Sequence, residues 1–240
     1  MCFKTFFNWS TGKDSALALH RVLTDASFNV EQLVTTLNLD TDRVSMHGVR
    51  RELLLKQVEQ IGIPLSIIEL PGDTPMHIYD ELMRSSMLDK KQQGFTHAVF
   101  GDIFLEDLRR YRIDKLESVR LQAHFPLWEE DTCELMNKFI GLGFKAITVA
   151  VNAKFMDETM VGRVIDESFL KMLPKEVDPC GENGEFHTFV YDGPIFKKPV
   201  DFLIGEKTLK TYTSSNGAED DDSKNTTWDS SFWFCDLYTE

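Results

Sequence analysis

The chain has 240 residues, 42% hydrophobic and 27% charged, with a net charge of −13. That length suffices for one large domain or two small ones with a real core, and the acidity argues against a surface made for non-specific contact with a nucleic-acid backbone. The four cysteines, Cys2, Cys133, Cys180 and Cys235, are scattered without a CxxC pair; they suggest neither a zinc ribbon nor a disulfide framework and read as reduced thiols.

Residues 2–9 are short, apolar and aromatic, which predicts a buried strand. It stops at the polar turn Ser10-Thr11-Gly12-Lys13-Asp14-Ser15, and a helix follows over 15–24. Leu33 to Leu39 is the second strand, and Val49 to Ile61 has helical spacing ended by Gly62 and Pro64. Pro64 to Leu70 is the third strand. Thr74-Pro75 is expected to open the next helix, with threonine as cap and proline at the first helical position, and Gly94 to close it. His97 to Gly101 is the fourth strand, 105–123 a helix, Phe144 to Val151 the fifth strand and 158–172 a helix.

Strand and helix alternate, the mark of an α/β fold with a parallel sheet. In such sheets ligands bind outside the carboxyl ends of the strands, where strand order reverses. The residues at those ends are Ser10 to Ser15, Asn38 and Gly101-Asp102. A second, smaller domain is expected from residue 126, after a first over 1–125. Four of the eight prolines fall within 174–199, which predicts an irregular stretch there. Thr213 to Ser230 reads as a mobile loop, and its Asp220-Asp221-Asp222 run as solvated rather than metal-binding. Ser231 to Tyr238 reads as a terminal aromatic strand that docks on the body, or pairs with a partner's edge in a homodimer. No run approaches a membrane span and no signal peptide is visible, so the expected location is the cytoplasm.

The polar turn is an anion site by its position. Free amides of a first helical turn and the helix dipole favour negative charge. Gly12 permits close approach, Lys13 adds a positive charge, and Ser10 and Ser15 add hydroxyls. Asp14 suits no simple anion trap, but it suits Mg²⁺ bound to a phosphate. The spacing is not that of a Walker loop or a dinucleotide fingerprint. It resembles the PP-loop SGGKDS of ATP pyrophosphatases, with Thr11 in place of the first glycine.

Two further stretches extend the resemblance: Val99-Phe100-Gly101-Asp102-Ile103 with Arg109-Arg110-Tyr111-Arg112, and Asp178-Pro179-Cys180-Gly181-Glu182-Asn183-Gly184-Glu185-Phe186-His187-Thr188. With the PP-loop they look like the diphthine–ammonia ligase family over residues 4–200. The resemblance implies a HUP-type sheet of order 3-2-1-4-5 and a smaller α+β domain facing its cleft. It also implies a chemistry in which ATP activates a carboxylate as an acyl-adenylate, pyrophosphate leaves, and ammonia displaces AMP. Carried over, Ser10 to Ser15, Asn38 and Gly101 would hold nucleotide, Asp14 the Mg²⁺, and Lys13, Asp14, Asp102, Glu182 and Glu185 would serve catalysis. His187 and Arg112 would meet the acceptor, a small-molecule or protein carboxylate. His187 stands where the ligases proper have a glutamate. The GENGEFHT form resembles a bacterial branch with a suggested role in cobalamin salvage.

Other readings stay open. Glu182 and Glu185 can instead brace a loop, and His187 can be a packed ring. Of Arg109, Arg110 and Arg112, one is expected in the cleft and the rest solvated. His47 and Arg50 face the same end of the sheet. A nucleotide sensor without catalysis and a PP-loop enzyme acting on RNA are the alternatives to a ligase.

Overall fold

The computed structural model describes residues 2–45, 47–72, 74–212 and 230–239. β1 (Phe3–Asn8) lies at the centre of a sheet with β2 (Phe28–Asn38), β4 (Leu65–Leu70), β5 (His97–Val99) and β6 (Gln122–His124). These five are parallel in the order β4-β2-β1-β5-β6, and the two-residue β3 (Arg43–Val44) pairs antiparallel with the end of β2. Counting only parallel strands, the order is 3-2-1-4-5, so the switch point falls between β1 and β5. Alternation along β1 sends Phe7 and Phe6 to opposite faces. Phe7 packs with Leu17, Leu33 and Leu53 beneath α1 (Lys13–Thr24) and α2 (Arg51–Ile61). Phe6 packs with Ile68, Met87 and Leu116 beneath α3 (Met76–Gln92) and α4 (Glu106–Glu117).

The second sheet is antiparallel in the order β8-β7-β10-β9, from β7 (Lys145–Asn152), β8 (Phe186–Asp192), β9 (Leu203–Tyr212) and β10 (Ser230–Tyr238). It packs into the same core as Phe7 through Ile147, Val149, Phe186 and Phe189, with α5 (Thr132–Gly141) and α6 (Glu167–Met172) alongside.

Several expectations are corrected. The strand at Phe144 to Val151 exists but belongs to the second sheet; the fifth parallel strand is β6, inside the stretch read as helix 105–123. That helix ends at Glu117, and Arg120 with φ +60° turns the chain back into the sheet. The helix expected at 158–172 is a 3₁₀ turn at Glu158–Met160 and then α6, capped by the Asp166 carboxylate on the Phe169 amide at 2.8 Å. Pro75 takes the cap position itself, and the Thr74 hydroxyl bonds the Pro71 carbonyl instead of the helix. The proline-rich stretch contains β8. β10 is an inner strand with both edges paired, so it is not a free edge for a partner chain. The loop expected at 213–230, with its aspartate run, lies outside the described residues except for Ser230. Among the described residues no helix is long and apolar enough to cross a membrane.

Candidate functional site

β1 delivers the chain to the switch point and α1 leads it away, so residues 10–15 sit at the carboxyl end of the sheet. Thr11 holds a left-handed backbone, φ +74°, in spite of its branched side chain. Its neighbours fix it there. The Thr11 carbonyl accepts from the Gln57 side-chain amide at 3.1 Å and from the Val190 amide at 3.0 Å. Gln57 is fully buried on α2. It also accepts from the Trp9 indole at 3.0 Å and donates to the Val190 carbonyl at 2.6 Å.

Gly12 caps α1 in an extended conformation, so its want of a side chain is a matter of space. A Cβ there would lie 2.6 Å from His47 Cε1. Gly101 is a second close approach: a Cβ would stand 3.0 Å from the backbone of Asp14 and Ser15. The end of β5 is thereby pressed against the first turn of α1.

The Lys13 amide donates to the Thr188 hydroxyl on β8 at 3.0 Å. Among the described residues the amides of Asp14 and Ser15 have no acceptor and remain as first-turn donors. Lys13 is 3% exposed, with Nζ 2.7 Å from Asp14 Oδ2, hydrogen bonded to the Cys180 carbonyl, and over the Phe186 ring. Burial pushes the ammonium pKa down, but the Asp14 carboxylate leads the charges that outweigh it, and the net shift is upward. Lys13 therefore stays a cation. Ser10 Oγ lies 3.1 Å from Ser15 Oγ, which donates to the Gly12 carbonyl at 2.9 Å.

Asp102 follows Gly101 and pairs with Arg112 at 2.9 Å; burial raises its pKa against that partner. Glu182 reaches the same space and accepts from the Ile103 amide at 3.2 Å. Burial first, then Asp14, push its pKa to about 7. Glu185 does not turn toward the cleft group. It is 2% exposed and accepts from the amides of Asp178 and Asn183 and from the Asn183 side chain, at 2.9–3.1 Å. Its carboxylate braces the loop before β8. Asn38 is likewise engaged, accepting from Asp40 and Thr41 in the turn after β2.

His187 and His47 face each other with ring centroids 4.9 Å apart, and His47 Nδ1 lies 3.2 Å from the Thr188 carbonyl. Burial lowers the first to about 3 and the second to about 4, so both rings are neutral at pH 7. Arg50 is not in the site: with Arg43 it pairs with Asp236 of β10. Arg112 alone of the three arginines joins the cleft carboxylates. Arg109 lies over Trp128 and Arg110 is exposed. The sequence reading missed Gln57 and Thr188. Gln57 carried a signal, a polar residue on the apolar stripe of Leu53 and Leu54; Thr188 closes the GENGEFHT motif but was given no role.

A family model described as the diphthamide synthase N-terminal domain matches residues 3–120, and one described as the diphthamide synthase C-terminal domain matches residues 131–220. The chain belongs to the diphthamide synthase family. Both models meet at the site: the phosphate loop, Gly101 and Asp102 lie in the first match, Glu182, His187 and Thr188 in the second. Among curated relatives in this family, the diphthine–ammonia ligase of Bos taurus is 33% identical over 149 residues, covering 60% of this chain and 53% of that protein. That of Homo sapiens is 32% identical over 135 residues, covering 54% and 49%. That of Schizosaccharomyces pombe is 32% identical over 122 residues, covering 49% and 20%. The chain thus spans about half, or less, of the length of the diphthamide synthase relatives it matches.

Proposed function

We propose that this chain activates a carboxylate with ATP and transfers the acyl group to ammonia. The observation that carries the reading is the pair of buried Lys13 with partly exposed Asp14 at the start of α1, beside two free amides and against Gly101 at the switch point. The names of the relatives support a ligase using ammonia.

In this reading the acceptor carboxylate attacks the α-phosphorus and pyrophosphate leaves. Ammonia then attacks the acyl carbon, AMP leaves and one proton is lost. The amides of Asp14 and Ser15 hold the phosphates, and Lys13 neutralises charge on the departing pyrophosphate. Arg112 orients the acceptor. Glu182 takes the proton from the nitrogen, since its pKa of about 7 lies near working pH. His187 and His47, both neutral, wall the cleft without adding repulsion to an incoming cation. Residues 1–125 hold the nucleotide and 126–240 bring Glu182 and the acceptor side.

Mg²⁺ fits the donor set. Asp14, Asp102 and Glu182 set three carboxylates against the two cations Lys13 and Arg112, an environment hostile to a bare triphosphate. Asp14 Oδ1 has no partner among the described residues, and Mg²⁺ needs only one or two carboxylates beside phosphate oxygens and water. Asp14, with Asp102 near it, would hold the ion, which supplies charge neutralisation on the phosphates when bound.

Diphthine, named by the relatives, is the acceptor to try first; the cobalamin-salvage role finds no support in those names. The test is phosphorus NMR of the chain with ATP, Mg²⁺, ammonium and a diphthine-bearing protein or a pool of small carboxylates. The expected products are AMP and pyrophosphate, dependent on the acceptor. ADP with phosphate would overturn the reading.

A further inference from the structure

Behind the Asp102–Arg112 ion pair lies a cavity of about 170 Å³ that the phosphate loop does not use. Asn8 and Phe100 line it from the ends of β1 and β5, Met83 and Met87 from α3, Leu116 and Arg112 from α4. It therefore opens at the switch point, on the sheet face opposite α1. Its interior is apolar: Met87, Phe100 and Leu116 are all nearly buried. An apolar space of about 150 Å³ holds a benzene ring. The charged residues lining it are Arg84, Arg112 and Lys115 against Asp80 and Glu81. Arg84 is exposed with no ion pair among the described residues, Lys115 lies 2.6 Å from Asp80, and Arg112 lies between the cavity and Asp102.

We propose that this cavity receives the ring-sized apolar body of the acceptor, whose carboxylate passes Arg112 toward the phosphate loop. The proposal rests on the ligase reading. Two features carry it. The cavity adjoins both ends of the cleft, through Asn8 two residues before Ser10 and through Phe100 next to Gly101. The Arg112 guanidinium lies 4.4 Å from the Phe100 ring centroid, which fixes its plane; Asp102 takes Nε and Nη2 at 2.9 and 3.1 Å, and Nη1, without a partner among the described residues, is left for a carboxylate.

The probe is 3-phenylpropanoate, added to the full chain carrying ¹³C-methyl methionine. The methyl signals of Met83 and Met87 are expected to shift saturably, equally with and without ATP and Mg²⁺. The alcohol 3-phenylpropanol should bind about ten-fold more weakly for want of the carboxylate. Met83→Trp, which fills the cavity, should abolish the Met87 shift while ATP binding is retained; Arg84→Gln, at an exposed position, should keep the ring bound but weaken the acid. Unmoved methyl signals would overturn the proposal. So would equal binding of acid and alcohol, or displacement of the probe by adenosine, which would make the cavity the pocket of the nucleotide base. The two readings fail separately: methyl shifts with ADP and phosphate as the products of ATP remove the ligase, and AMP formation without methyl shifts removes the pocket.

Discussion

The backbone amide of Lys13 and the hydroxyl of Thr188, 175 residues apart in sequence, are joined by a hydrogen bond of 3.0 Å. It ties the phosphate loop to β8 of the second sheet, and the Thr188 carbonyl also lies 3.2 Å from His47. Thr188→Val keeps the shape and removes the acceptor. The buried Lys13 amide then goes unpaired, at a cost of about 1–3 kcal/mol. Urea denaturation should show that loss, together with weaker ATP binding.

Lys13→Met keeps much of the volume and removes the charge. Turnover to AMP should fall about 10²-fold or more, as for other lost transition-state donors, with the fold intact by circular dichroism. Asp14→Asn should act alike through the metal and the phosphates. Full activity in either variant would refute the assigned phosphate site.

Thr11 is strained by its left-handed backbone, and its buried hydroxyl oxygen has no partner among the described residues. Thr11→Gly removes both penalties. The strain alone is worth about 1–2 kcal/mol, against roughly 0.5–1 for the freer unfolded chain of glycine. The variant should be more stable by about 1 kcal/mol, a rise of roughly 2–4 °C in Tm. A fall in Tm would mean that the threonine methyl contributes packing that outweighs the strain.

Gly12→Ala and Gly101→Ala should differ in kind. The first collides with an imidazole, which can swing away, so ATP turnover should drop while stability changes little. The second meets backbone at 3.0 Å and must push the first turn of α1, lowering both activity and stability by about 1–3 kcal/mol. Thermal melts beside turnover measurements separate the two cases.

Asp236 is buried enough for desolvation to raise its pKa, yet Arg50 and Arg43 prevail and hold it near 2. Its folded value lies below the unfolded one. The stabilisation is therefore complete above about pH 4 and is lost as pH falls toward 2. Asp236→Asn should be destabilised by on the order of 1–2 kcal/mol at neutral pH, with the gap to wild type closing over that acid range in denaturant titrations.

The route from β1 through the polar turn to α1 was legible because a buried strand, a glycine and a helix repeat follow one another without interruption. The strand order followed only from the family resemblance, since no local pattern carries it. β6 was not, because Gln122-Ala123-His124 is short and half polar and takes its conformation from β5 beside it. Nothing local told β7 apart from the fifth strand of the parallel sheet, since a strand buried on both faces reads as one apolar run in either setting. Within the candidate site, Lys13, Asp14, Asp102, Arg112, Glu182 and His187 do converge on one cleft. Glu185 shares the motif and the chemistry of Glu182 but points the other way, and only the loop amides that claim it show this.

β10 follows β7 and β9 in the chain yet lies between them in the sheet. During synthesis both neighbours leave the ribosome first, each with an open edge able to pair with a stranger. Asp236, the counter-anion of Arg43 and Arg50, arrives on that same strand. Closure of the second sheet and neutralisation of the arginines beside β3 and α2 thus become a single late event. A nascent or shortened chain lacking β10 would present itself to chaperones and proteases as unfinished.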